Sequence, residues 1–156
     1  MSLTDILKEL SPAQQKHLDP KSPAPMRTMA AKGLAPASPR DMVLLLCGFY
    51  YDSDSKFSSL ATQAMMRLPE GILLPALSAE LPPAALYALA SLLDGRDSVL
   101  ERVVVNRKTP DDALVEIAPT CSAGIVELLA EDQERCLRSK KLVDAIRRNP
   151  NLGNAQ

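Results

Sequence analysis

SVLERVVVNRKTPDDALVEIA, residues 98–118, decides the fold. Leu100, Val103 and Val104 recur at helical spacing, and Ser98 with Glu101 has the S-x-x-E form of a capping box, so a short helix is expected. Asn106 to Lys108 make a polar corner. Thr109 then stands as a cap before Pro110 at a first helical position, and Asp111 and Asp112 place carboxylates in the positive first turn of a second helix. Helix, corner and helix fit into 21 residues. The rest of the chain repeats that grammar.

A chain of 156 residues can bury roughly two-thirds of its unfolded surface around one core. Leu, Ala and Val dominate, Trp is absent and aromatics are 3%. Such cores suit close helix-on-helix packing, and alternating β-branched runs are missing, so the class is all-α. Net charge is −1, which excludes a global field for nucleic acid or an anionic membrane. The charge is uneven: residues 1–40 carry +3, 41–95 carry −4, and 96–156 balance. Three cysteines without a secretory leader pattern imply reduced thiols and a cytoplasmic protein. No apolar run is long enough for a membrane span.

Along the chain, Ser2 with Asp5 opens a short amphipathic helix, and Ser11-Pro12 opens another that ends at Asp19-Pro20. Pro20, Pro23 and Pro25 form a stiff connector. Met26 to Leu34 reads as a helix closing on Gly33 in a left-handed cap. Ser38-Pro39 starts MVLLLCGFYY, apolar nearly all round and so expected to be buried on most faces. Asp54, Phe57, Ala61, Ala64, Met65 and Leu68 line one side of a helix over 52–68. ILLPALSAE carries Pro75 and should be short or kinked, while Pro82-Pro83 starts AALYALASLL and Asp94-Gly95 stops it. Glu131 to Arg138 reads as charged and exposed, and Ser139 caps a last helix with Leu142, Val143 and Ile146 inward.

Segments can be overlaid. VLERVVVN (99–106) lies over LVDAIRRN (142–149), LPEGILLPALS (68–78) over TPDDALVEIAP (109–119), and SPRDMVLLL (38–46) over the start of LPEGILLPALS, at offsets of 43, 41 and 30 residues. A helical unit this short buries its stripe only by stacking on its neighbours. The set Asp54, Phe57, Ala61, Ala64, Met65, Leu68 resembles the second-helix pattern of the HEAT/armadillo-like α-solenoid superfamily, with Ser58 where that pattern prefers Arg. The Asn-x-x-Thr-Pro corner at 106–110 and Asn149-Pro150-Asn151 resemble bacterial HEAT-like and leucine-rich-repeat-variant proteins. The resemblance implies a short right-handed α-solenoid. An N-terminal helical extension would occupy 1–21 and the repeats 22–151, leaving 152–156 as a polar tail or the start of a truncated next repeat.

No catalytic constellation assembles. His17 is the only histidine and follows Lys16 on a polar helix, and G-x-S-x-G, H-E-x-x-H, P-loop and C-x-x-C patterns are absent. Cys121-Ser122 lacks triad partners, and the pairs Asp111-Asp112 and Asp52/Asp54 are explained by helix capping rather than by metal. No catalytic, cofactor-binding or metal-ligating residue is therefore assigned. Partner-binding candidates are Arg135, Arg138, Lys140, Lys141, Arg147 and Arg148, six cations in fourteen residues with only Asp144 opposing them. Tyr50 and Tyr51 join them, from the only aromatic cluster, because aromatics anchor interfaces. Phe49 and the Met26/Met29 and Met65/Met66 pairs read as core.

HEAT-like solenoids commonly bind proteins, so the resemblance implies a non-catalytic scaffold or regulatory adaptor whose partner is another protein, with self-association through the solenoid ends as a further expectation. The alternative is a nucleic-acid-binding domain resembling HEAT-like DNA glycosylases and using the basic cluster. The absence of Trp and of net positive charge makes nucleic acid the weaker partner.

Overall fold

A computed structural model describes residues 1–153 of the chain. Among them are twelve α-helices and no strand. Helices α1 (Leu3–Leu7) and α2 (Pro12–Gln15), with a 3-10 turn at Lys16–Leu18, form the N-terminal segment. Next come α3 (Ala24–Ala31), α4 (Pro39–Tyr50), α5 (Ser55–Arg67) and α6 (Glu70–Ser78). Then follow α7 (Pro83–Leu92), α8 (Asp97–Val104), α9 (Asp111–Ile117), α10 (Ala123–Glu131), α11 (Gln133–Arg138) and α12 (Lys140–Arg147). None is long and apolar enough to cross a membrane.

Local chemistry sets most boundaries. Ser11, Ser38 and Ser139 each accept a hydrogen bond from the backbone N–H three residues on, at 3.2–3.3 Å, as cap residues do. Gly33 and Gly95 sit at φ +78° and +89°, ending α3 and the turn after α7 where a side chain would be strained. Pro75 lies inside α6, which keeps its helical form over nine residues.

The helices stack in two rows. In one, α4 touches α7, α7 touches α9 and α9 touches α12; in the other, α6 touches α8 and α8 touches α10. Terminal contacts show that neighbours run parallel. Ser98 Oγ on α8 donates to Glu70 Oε1 on α6 at 2.9 Å, and Ser122 Oγ at the start of α10 donates to Asp97 Oδ2 on α8 at 2.6 Å. In the first row, Lys108 ahead of α9 pairs with Glu80 ahead of α7, and Arg138 ahead of α12 pairs with Asp111 on α9 at 2.8 Å.

The core lies between the rows. Met42 to Phe49 on α4 are all buried, as are Phe57, Ala61, Ala64, Met65 and Leu68 of the expected stripe. Each large apolar side chain removed from water contributes about 1.5–3 kcal/mol. Leu18 in the N-terminal segment lies where a Cβ on Gly48 would meet its Cδ1 at 2.6 Å, so any side chain at 48 would have to displace Leu18. Ile6, Leu10 and Leu18 are buried, and α1 packs on α4 and α7.

A corner device recurs. Asp19, Asp52, Asn106 and Asn149 each accept, through Oδ1, the N–H two residues on, at 2.7–2.9 Å. Carbonyls at the corners are then closed from later in the chain. Arg96 donates to Met65 and Leu68 at 3.1 and 2.6 Å, Arg135 to Asn106 and Thr109 at 2.8 Å each, and Asn149 to Ala118 and Cys121 at 2.7 and 2.9 Å. The two carbonyls in each pair are three residues apart, the spacing at which helix-end oxygens face one way.

Several local expectations change. Ser98 and Glu101 form no capping box, because α8 begins at Asp97, two residues before the start that a Ser98 cap would set, and Ser98 reaches across to Glu70. Thr109 does not cap α9. It is buried, and its Oγ1 donates back to the Val103 carbonyl at 2.6 Å, sealing the end of α8 instead. Met65 is core, whereas Met29 and Met66 are exposed. The 43- and 41-residue overlays pair helices of different rows, α8 with α12 and α6 with α9. In the first row α7, α9 and α12 begin at Pro83, Asp111 and Lys140, 28 and 29 residues apart. The overlays matched the shared corner chemistry rather than position in the stack. Of the segment 152–156, Leu152 and Gly153 continue a turn, and 154–156 lie outside the described residues.

Candidate interaction surface

The outer side of the first row collects the polar side chains that the core leaves over. Tyr50 and Tyr51 end α4, with rings edge to face at a centroid distance of 5.0 Å. Tyr51 donates its hydroxyl to the Ala84 carbonyl at 2.7 Å. One helix further, Tyr87 on α7 donates to Glu116 Oε1 on α9. All three tyrosines of the chain thus lie together over α4, α7 and α9, half-buried.

Their ionisation is shifted accordingly. The hydrogen bond to Glu116 is the main cause that pushes Tyr87 up to about 12 from 10.0, with burial next. Burial pushes Tyr50 up, aided by the Glu116 charge and partly offset by a hydrogen bond from Ser91. Burial pushes Tyr51 up still further. A spectrophotometric titration of the native protein should therefore show the tyrosinate steps of Tyr51 and Tyr87 displaced well above pH 10. Because the folded state holds these phenols neutral, the stability they contribute is present below pH 10 and is lost as pH rises towards 12. Two thirds of the phenolic absorbance appearing at pH 10 before unfolding would contradict the arrangement of Tyr51 and Tyr87.

Glu116 and Asp112, four residues apart on α9, are exposed and form the acidic part of this side. Beyond them α12 carries Lys140, Lys141, Arg147 and Arg148, all exposed and none in an ion pair. Every other row helix with a charge in its first turn has an acid there; α12 begins with two lysines, against its own dipole.

The six-cation ridge expected over 135–148 is not one surface. Arg135 is buried, only 1% exposed, because α11 is a helix that packs this side chain inward. Its guanidinium meets Asp111 at 2.5 Å and Asp132 at 3.2 Å besides the two corner carbonyls. Arg138 is half-exposed and committed to Asp111 and Glu134. These arginines hold the Asp111 carboxyl below its usual range, the Arg138 hydrogen bond being the larger cause. Four free cations remain, with Asp144 among them.

Elsewhere the chemistry is structural. His17 is half-buried, its carbonyl accepting from Arg27 at 3.4 Å. Cys47 is buried and its thiol pushed up by burial; Cys121, also buried, is pushed up to about 11. Asp52 and Asp54 cap and turn the chain. Among the described residues no group of three or more His, Cys, Asp or Glu could hold a metal ion. A groove of 510 Å³ beside Leu34, Leu60 and Arg67 contains no histidine or cysteine, nor does one of 410 Å³ between Val105 and Glu131.

Tyr87 and Glu116 escaped the sequence reading. Their separation of 29 residues matches the row spacing, a period that the sequence overlays at 43, 41 and 30 residues do not show. No family model, curated protein or solved structure matches this chain.

Proposed function

We propose that this chain is a non-catalytic protein–protein interaction scaffold or adaptor, built as a short α-solenoid related to the HEAT-like type. The observation that carries the reading is the outer side of the α4–α7–α9–α12 row, where three tyrosines, two carboxylates and four unpaired cations succeed one another on rigid parallel helices. Stacked parallel helices hold such side chains at fixed spacing, so a partner can be read with little ordering cost. Aromatic anchors with a charged rim are the usual anatomy of an interface. Buried, high-pKa thiols and fully engaged buried arginines argue against a reacting centre in the core.

A photo-crosslinking residue at Ser91, beside Tyr50 on this side, should capture a discrete heterologous protein in the native cell. The same residue at Thr62, exposed on α5, should not. Equal capture at both positions, or none at Ser91, removes the reading. The free cations of α12 favour nucleic acid as a second reading. Duplex DNA binding that weakens steeply with salt and disappears on Lys140→Glu with Arg147→Glu would put it first.

A further inference from the structure

The end of α3 and the last turns of α5 enclose a trough of 510 Å³ with an apolar floor. Ala64 and Leu68, both buried, back it onto the core, and Leu34 and Leu60 form its sides. Leu34 is placed there by the way α3 stops. Gly33 takes φ +78°, its N–H donates to the Ala30 carbonyl and the Leu34 N–H to the Met29 carbonyl, each at 3.0 Å, the paired bonds of a Schellman cap. That motif commonly seats the residue after the glycine against the helix it closes. Here Leu34 remains 61% exposed and Met29 53%, so the cap fixes an apolar side chain in water beside an apolar floor.

The charges around the trough are of one sign. Lys32 and Arg67 stand where α3 and α5 finish, both exposed and in no ion pair among the described residues. Arg67 Nε donates to the Gln63 carbonyl at 3.3 Å. Neither helix contains an Asp or Glu. The carboxylates of the surrounding elements are committed or placed elsewhere. Asp52 pairs with Arg27, Asp54 caps the far end of α5, Glu70 accepts from Ser98, and Asp41 and Asp94 do not line the trough. The two helix dipoles bring about half a negative charge each to this end, which offsets part of the two cations and leaves it positive.

An occupant must therefore be apolar along one side and anionic at one end. Leu60 to Leu68 span about 12 Å of helix axis, room for about two turns of a second helix laid alongside. A small molecule would be left largely in water at the exposed Leu34, whereas sites for such ligands bury most of their surface. We propose that the trough docks an acidic amphipathic helix of a partner protein. Its apolar side chains, one turn apart, rest on Leu34, Leu60, Ala64 and Leu68, and its carboxylates face Lys32 and Arg67. This surface goes beyond the tyrosine-bearing row and shares no residue with it, so either can stand if the other fails. With 100° per residue, Thr62 lies on the opposite side of α5 from Leu60, Ala64 and Arg67, so a crosslinker at Thr62 does not report on the trough.

Methyl and amide NMR of the full chain tests the docking. The probe is a designed alanine-based helical peptide with leucines at i, i+4 and i+7 and glutamates beside them. Shifts are expected to saturate and to gather on residues 32–34 and 60–68. Lys32→Glu with Arg67→Glu should weaken peptide binding about tenfold or more. Leu34→Asp should weaken it similarly, and so should replacing the peptide's glutamates by lysines. Thermal melts confirm folding; should the double variant melt early, Lys32→Gln with Arg67→Gln is read instead, with a smaller loss expected. No saturable shift, shifts that gather on α12 or the tyrosines, a double variant that binds like the parent, or equal binding of the lysine peptide each overturns the docking. Shifts at the trough produced by phosphatidylglycerol vesicles and not by the peptide overturn it too, and give the trough to a membrane surface.

Discussion

An Arg135→Ala variant is expected to lose about 3–5 kcal/mol of folding stability, the range for removing one partner of a buried ion pair. For a chain of this length that is a melting point roughly 6–20 °C lower. The side chain is 1% exposed and its guanidinium serves Asp111, Asp132 and the carbonyls of Asn106 and Thr109. Alanine would leave two carboxylates leaning on a cavity and the Thr109 carbonyl without a donor, while the Asn106 carbonyl keeps only the Thr109 N–H. Water entering the cavity recovers only part of this, because each unsatisfied buried acceptor costs about 1–3 kcal/mol. Lysine keeps the charge but cannot fork to four oxygens, so Arg135→Lys should fall between. Arg107→Ala, which removes a pair that is mostly in water, should leave the midpoint nearly where it was. Equal small effects at 107 and 135, measured by chemical denaturation, would mean that the corner at Asn106–Asp111 closes without its arginine.

The second large loss is expected at Arg27. This guanidinium pairs with Asp52, both side chains being under a tenth exposed, and it lies 4.3 Å from the ring centroid of Phe57. It also donates to the carbonyls of His17 and Leu18 at 3.4 Å, tying the N-terminal turn to the end of α4. Arg27→Ala should cost about 3–5 kcal/mol, since it strands Asp52 and removes a stacked plane from two phenylalanines. Arg27→Met with Asp52→Asn should recover a large share. Methionine refills the space against Phe49 and Phe57, and asparagine retains the turn to the Asp54 N–H without a charge. If the double variant is no more stable than Arg27→Ala, packing outweighs the stranded carboxylate.

Legible in the chain is whatever is settled within one turn of it. Ser38-Pro39, Ser139 and Gly33 announced their helix ends, and the stripe from Phe57 to Leu68 announced its buried side, because capping and periodicity act over four residues. Arg135 shows where that runs out. Six charged or polar residues in the eight from Glu131 to Arg138 look like a solvated face, and only the carbonyls of a corner twenty-six residues earlier make an arginine there worth burying. Thr109 failed similarly: a hydroxyl before proline is a good cap in isolation, but the end of α8 offered a nearer acceptor. The 41- and 43-residue overlays differ from the row spacing because Asn106 and Asn149 make the same turn while closing onto different neighbours. Tyr50, Tyr51 and the cations of α12 stand out in the chain, whereas Tyr87 and Glu116 come together only as a contact between neighbouring helices of one row.

Corners closed from downstream have a bearing on how the molecule is made. The oxygens of Met65 and Leu68 wait for Arg96, that of Thr109 for Arg135, and those of Ala118 and Cys121 for Asn149. During synthesis, each bend stays open until some thirty more residues have left the ribosome, and is then latched by the newcomer. Assembly thus advances in one direction, like a zip whose teeth engage only after the slider has passed, and a nascent chain halted early would keep its last bend wet.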